Sequence, residues 1–159
     1  MNISIICIGK LKERYWTSAV EEYDKRLGKY CTLTTRELKE EKLADNPSAA
    51  EEEAVRIVEG KSILGALKGD SYIIALDIKG KPLSSEELAA EISRIGLSGK
   101  SSIAFIIGGS IGLSEEVLDR ADMRLSFSKM TFPHQMMRVI LLEQIYRSFR
   151  INRNEPYHK

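Results

Sequence analysis

The chain has 159 residues, 43% apolar and 30% charged, with a formal net charge of +1. That length suits one domain with a substantial core, and the composition is that of a globular rather than a disordered protein. The near-neutral total excludes a binder that meets polyanions with its whole surface, so any nucleic-acid contact has to be local.

Taken in chain order, Ile3-Ser4-Ile5-Ile6-Cys7-Ile8 reads as a first strand closed by Gly9. No basic region precedes it, and the run is too short for a signal peptide or a membrane span, so a cytoplasmic protein is expected. Trp16, Ala19, Val20, Tyr23 and Leu27 follow at helical spacing, with Gly28 as the stop. Cys31-Thr32-Leu33-Thr34-Thr35 is β-branched and alternating, a second and less buried strand. Asn46-Pro47-Ser48 opens a helix expected to bury Ala50, Ala54, Ile57, Val58, Leu64 and Leu67.

Tyr72-Ile73-Ile74-Ala75-Leu76-Asp77 is nearly all apolar, as a central strand covered on both faces should be. A turn is expected at Gly80 and Pro82. Ser84 then caps a helix with Glu87 at capping-box spacing, lined by Leu88, Ile92 and Ile95. Ile103-Ala104-Phe105-Ile106-Ile107 is another buried strand that runs into Gly108-Gly109-Ser110-Ile111-Gly112, and Ser114 starts a short helix. Arg124-Leu125-Ser126-Phe127 is a short fifth strand, and a long helix runs from Pro133 to about Arg153. Repeated alternation of strand and helix predicts one α/β domain with a five-stranded, mostly parallel sheet and flanking helices. The last helix carries Met136, Met137, Val139, Ile140, Leu141, Leu142, Ile145, Tyr146 and Phe149 on more than one face. One side can pack on the sheet, and the other asks for a partner, which favours a homodimer through this helix.

Charge and cysteine usage narrow the chemistry. Acids dominate from Glu37 to Glu59 and bases from Arg124 to Lys159, a pattern that fits either a polyanion or solvated helix faces. Cys7 and Cys31 lie beside or inside apolar runs without a CxxC, which reads as buried thiols in a reducing compartment. His134 and His158 are the only histidines, so no dedicated metal site is expected. Lys10, Lys12 and Arg14 follow the first strand and suit either phosphate contact or a solvated loop.

Two segments stand out as candidate sites. Gly108 to Gly112 lies where a strand gives way to a helix, the place where ligands of open α/β sheets collect, and equally where a tight turn needs glycine. Phe127-Ser128-Lys129-Met130-Thr131-Phe132-Pro133-His134-Gln135 places small polar groups between two aromatics. Such a loop can sandwich a purine ring, although a proline at the first turn of a helix is also routine structure.

The segment Leu125 to Val139 resembles the SPOUT class of methyltransferases, and within it the type that methylates a ribosomal pseudouridine. Gly9-Lys10-Leu11-Lys12, Ile106-Ile107-Gly108-Gly109 with Gly112-Leu113, and the ending Tyr157-His158-Lys159 share the resemblance, in order along the whole chain. It implies methyl transfer from S-adenosylmethionine to N3 of a pseudouridine in large-subunit ribosomal RNA; the near-neutral charge suits a folded site on an assembled ribosome better than free RNA, and neither DNA nor a membrane is an expected partner. It also implies a homodimer and a C-terminal trefoil knot holding the cofactor, with Leu76, Gly108, Gly109, Phe127, Ser128, Lys129, Met130, Thr131 and Phe132 around it. Removing the imide proton needs a base or a stabiliser of the anion, for which His134, Arg138, Tyr157 and His158 are the candidates, the tail acting across the dimer. The competing readings are a knotted methyltransferase acting on another RNA such as transfer RNA, a non-catalytic ribosome-associated module, and a flavodoxin-like nucleotide binder.

Overall fold

In the computed structural model, which describes residues 1–157, the elements run β1 (Asn2–Ile8), α1 (Arg14–Leu27), β2 (Thr32–Leu38), α2 (Ala49–Ala66) and β3 (Tyr72–Pro82). They continue with α3 (Ser85–Leu97), β4 (Ser102–Ile107), α4 (Glu115–Arg120), β5 (Met123–Ser126) and α5 (His134–Asn152). The strands form one sheet in the order β2-β1-β4-β3-β5, and every pairing is parallel.

Side chains alternate across a strand, and both faces of this sheet are apolar, so each inner strand feeds two cores. Ile3, Ile5 and Cys7 of β1 join Ile103, Phe105 and Ile107 of β4 in a cluster completed by α3 and α5. Ile6 and Ile8 join Ala104 and Ile106 on the opposite face, against Ile63 and Ala66 of α2 and Val117 of α4. Burial pushes the Cys7 and Cys31 thiols up to about 11, which keeps both protonated at neutral pH.

β2 occupies an edge, in keeping with its mixed composition, and extends to Leu38 through the charged Arg36 and Glu37. Ser48 and Ser84 both form capping boxes, with Glu51 and Glu87 respectively. The expected buried side of α2 is corrected: Ala50, Ala54, Ile57 and Val58 are exposed, Leu64 and Leu67 are half-buried, and the core face carries Glu59, Gly60, Ile63 and Ala66. Gly60 lets the helix pack directly against Ser114, which turns the charged Glu59 inward and the two β-branched residues outward.

β3 also departs from expectation. Gly80 and Pro82 do not form a turn beyond the strand; β3 continues through them, and the irregularity falls earlier. Leu76 and Lys81 both pair with Leu125, so residues 77–80 bulge out of the ladder. A Cβ on Gly80 would stand 2.6 Å from the carbonyl carbon of Arg124, so only glycine lets the chain rejoin β5 there.

α5 lies between α1 and α3, and no residue from His134 to Ile151 is exposed. Its two apolar sides are therefore largely covered within the chain. Met136, Val139 and Ile140 remain half-buried along one stripe. Among the described residues no helix is long and apolar enough to cross a membrane.

Candidate active site

All five strands end on the same edge of a parallel sheet, and ligands of such sheets bind beyond that edge. Here the segments following β3, β4 and β5 converge on a cavity of about 570 Å³. Leu76, Asp77 and Ile78 of the β3 bulge form one wall, and Gly108, Gly109, Ser110, Gly112 and Leu113 form a second. Phe127, Ser128 and the run Met130 to His134 form the third, with Met137 of α5 beside them.

The walls are tied to one another. The Ser126 hydroxyl lies 3.1 Å from the Ile78 carbonyl and 3.2 Å from that of Ser128, joining the β3 bulge to the loop after β5. The Ser128 Oγ accepts from the Met130 N–H at 2.9 Å, and the Asp77 Oδ1 accepts from the Lys79 N–H at 3.1 Å. Across the pocket the Gly112 N–H donates to the Gly109 carbonyl at 3.2 Å. A Cβ on Gly108 would stand 3.0 Å from both the Gly112 carbonyl carbon and Leu113 Cδ2, so this turn folds on itself only because position 108 has no side chain.

The two segments singled out in the sequence are thus opposite walls of one cavity. Leu76, Gly108, Gly109, Phe127, Ser128, Met130, Thr131 and Phe132 all line it, whereas Lys129 is exposed and does not. His134 lines it from the first turn of α5, with Nε2 3.6 Å from where a Cβ on Gly9 would stand. Ser110 of the turn singled out in the sequence lines it too, and Asp77, Ile78, Leu113 and Met137 also line it and were not anticipated. Asp77 had a usable signal, since it closes an apolar run at the carboxyl end of a central strand.

Arg138 and Tyr157 are not in the cavity of their own chain. The Arg138 guanidinium is 2% exposed and committed elsewhere, to Glu37 at 2.6 Å and to the Gly9 carbonyl. Its acidic partner is Glu37, and Glu143 is held by Arg147 at 2.7 Å within the chain. Tyr157 folds back on α5, donating to Glu143 Oε1 at 3.1 Å with its ring edge-on to Tyr146 at 5.0 Å. Burial, reinforced by the Glu143 charge, pushes its hydroxyl up to about 12, so it stays protonated. His158 lies outside the described residues.

Behind the glycine wall sits Glu59, 4% exposed. Its Oε1 accepts from the Glu41 N–H at 3.1 Å, and its Oε2 has no hydrogen-bond partner among the described residues. A Cβ on Gly109 would lie 3.1 Å from that oxygen, so the carboxyl supports the turn directly from below.

A family described as "Predicted SPOUT methyltransferase" matches residues 1–158. The chain is 61% identical over 159 residues to a protein of Clostridioides difficile (strain 630) named ribosomal RNA large subunit methyltransferase H, covering 100% of both chains. A protein of the same name from Clostridium novyi (strain NT) is 60% identical, again over 100% of both. Among solved structures, a probable methylase family protein from Haemophilus influenzae Rd KW20 superposes with a TM-score of 0.56 at 15% identity, covering 99% of this chain and 70% of that one. A putative methylase family protein from Neisseria gonorrhoeae gives 0.51 at 16% identity, covering 99% and 86%. The structural likeness shows the fold, the full-length identity shows the family, and the chain belongs to the SPOUT methyltransferases.

Proposed function

We propose that the protein transfers a methyl group from S-adenosylmethionine to N3 of a pseudouridine in large-subunit ribosomal RNA, on the assembled ribosome in the cytoplasm. The observation that carries this reading is the meeting of the Gly108–Leu113 and Phe127–His134 segments on one cavity, in a chain so similar over its length to relatives bearing that RNA's name.

The residues fit such a donor. The cavity is large enough for a nucleoside with an amino-acid tail, and it combines aromatic and aliphatic walls with backbone groups left accessible by glycine. Phe127 and Phe132 suit the purine, the Gly108–Gly112 backbone suits its hydrogen-bonding edges, and the Asp77 carboxylate suits a cationic group. When bound, S-adenosylmethionine supplies an activated methyl on a sulfonium. The protein's share is then to hold the attacking nitrogen in line and to remove its proton. His134 suits that role as an imidazole lining the cavity from the head of α5.

A homodimer belongs to the same reading, supported by the half-buried stripe of Met136, Val139 and Ile140. Tyr157 is packed on α5 away from its own cavity, so the catalytic part expected of the tail belongs to the site of a second subunit. The trefoil knot is proposed with the family's other features.

The test is transfer of labelled methyl from S-adenosylmethionine to ribosomes from a strain lacking this protein, with separated subunits alongside. Label at a large-subunit pseudouridine N3 is expected. Label in transfer RNA, or donor binding without label in any ribosomal particle, would replace the assignment.

A further inference from the structure

The segment between β1 and α1 has no part in the donor cavity, yet it is fastened beside it. The Gly9 carbonyl accepts from Arg138, the Leu11 N–H donates to Glu37 Oε1 at 3.4 Å, and the Lys12 N–H donates to Gln135 Oε1 at 2.8 Å. Gln135 follows His134, so residues 9–12 are pinned to the very turn that carries the candidate base. The fastening uses backbone atoms throughout, which leaves the side chains free to face outward.

Three of those side chains are cationic and one, Glu13, is acidic. Lys10, Lys12 and Arg14 are exposed, and no carboxylate pairs with any of them among the described residues. Tyr15 is 62% exposed, an unusual position for a ring that has apolar neighbours to join. It is held in place by an edge contact with Trp16, with centroids 4.8 Å apart, so one face stays open to solvent. Glu13 lies within the segment and is exposed, and Glu37 and Glu40 lie beside it at and just after the end of β2, Glu40 with Oε2 3.5 Å from where a Cβ on Gly9 would stand.

Unpaired cations beside an open aromatic face match an RNA strand with unpaired bases. Phosphates take the cations, and a ring stacks on any base regardless of sequence. A protein partner would make less use of three unpaired cations around one tyrosine. We propose that Lys10 to Trp16 is the RNA-docking edge of the active site, with Tyr15 stacking on an unpaired nucleotide near the target and Lys10, Lys12 and Arg14 holding its backbone. The proposal rests on the chain's being an RNA methyltransferase and adds where the RNA lies.

The experiment compares wild type, Tyr15→Leu, Tyr15→Phe and the triple variant Lys10→Ala/Lys12→Ala/Arg14→Ala, using large ribosomal subunits from a strain lacking the protein and complete ribosomes in parallel. Particle binding is measured by filter retention over a range of salt, methyl transfer by labelled donor, and donor affinity by calorimetry. Tyr15→Leu is expected to weaken particle binding about tenfold and Tyr15→Phe hardly at all, as stacking requires. The triple variant should lower the salt dependence of log affinity by about 2, at roughly 0.7 per phosphate contact on a single strand. Donor affinity and thermal midpoint should stay at wild-type values for all of them. Unchanged particle binding and salt slope with methyl transfer intact would overturn the docking edge and leave the enzymatic reading standing. Variant-sensitive particle binding with no methyl transfer even by wild type would leave the docking edge and remove the enzymatic reading. Equal loss of donor and particle binding would show a structural role and overturn the proposal.

Discussion

Arg138, one turn into α5, donates to the carbonyl of Gly9, 129 residues away in sequence. Its other terminal nitrogen holds Glu37 at 2.6 Å, so one buried side chain joins the ends of β1 and β2 to the head of the helix carrying His134. An arginine that looks like an anion stabiliser in the sequence is, in the fold, also a clamp on the first turn of α5.

Removing that clamp should cost stability before it costs chemistry. Arg138→Ala leaves the Gly9 carbonyl and Glu37 without their partner, and breaking a buried pair costs about 3–5 kcal/mol. The lower end is expected, because the Glu37 side chain keeps 32% of its exposure and recovers water. Arg138→Lys should recover part of the loss, since one ammonium does not match two acceptors held by a planar fork. Denaturant unfolding measures this directly. Wild-type stability with methyl transfer abolished would return Arg138 to the reacting groups.

Gly108→Ala should act on the cavity proposed for the donor with little effect elsewhere. The added methyl meets Gly112 backbone and Leu113 Cδ2 at 3.0 Å, and both belong to the cavity wall. Relieving that contact moves the wall, at an overpacking cost of about 1–3 kcal/mol. Donor affinity by calorimetry is expected to fall about tenfold or more, which corresponds to about 1.4 kcal/mol. Unaltered donor binding would mean that this turn does not touch the ligand.

His134 separates binding from proton transfer. His134→Asn retains a polar group at the head of α5 but removes the imidazole proposed as the base, so a rate loss of roughly 10²- to 10⁴-fold is expected at saturating donor and RNA. Donor affinity should stay within about twofold of wild type. A variant with full kcat would pass the role of base to another group, with the tail of a second subunit next to be tested.

Much of this architecture was legible in the sequence because apolar periodicity reports burial. Ile103–Ile107 and the Ser84–Glu87 capping box needed no more than their own residues. Three features needed long-range information. Ile57 and Val58 face outward because Gly60 brings α2 against Ser114 and turns Glu59 in, and no local pattern announces a buried carboxylate. The bulge at 77–80 arises from pairing with β5 some 45 residues later, so Gly80 and Pro82 look like an ordinary turn until β5 is in place. Arg138 belongs to the motif that carries the family resemblance, yet its partners lie in the first quarter of the chain.

Glu59 gives the last prediction, and its sign follows from its surroundings. Burial raises its carboxyl above the ordinary 4.5, helped by the nearby Glu40 and Glu41 charges and opposed by the Glu41 N–H. A group that binds its proton more tightly when folded contributes fully to stability below its unfolded pKa, and that contribution is lost as the pH rises through the folded value. Glu59→Gln retains an acceptor for Glu41 and cannot ionise. Its stability relative to wild type should therefore climb as the pH is raised from about 4 to about 8, where wild type must either carry a buried charge or hold its proton against the solvent. Unfolding midpoints of the two proteins across that range decide the matter. Parallel curves would mean that Glu59 ionises as freely in the folded chain as in the unfolded one, and that the free oxygen below Gly109 is satisfied by water.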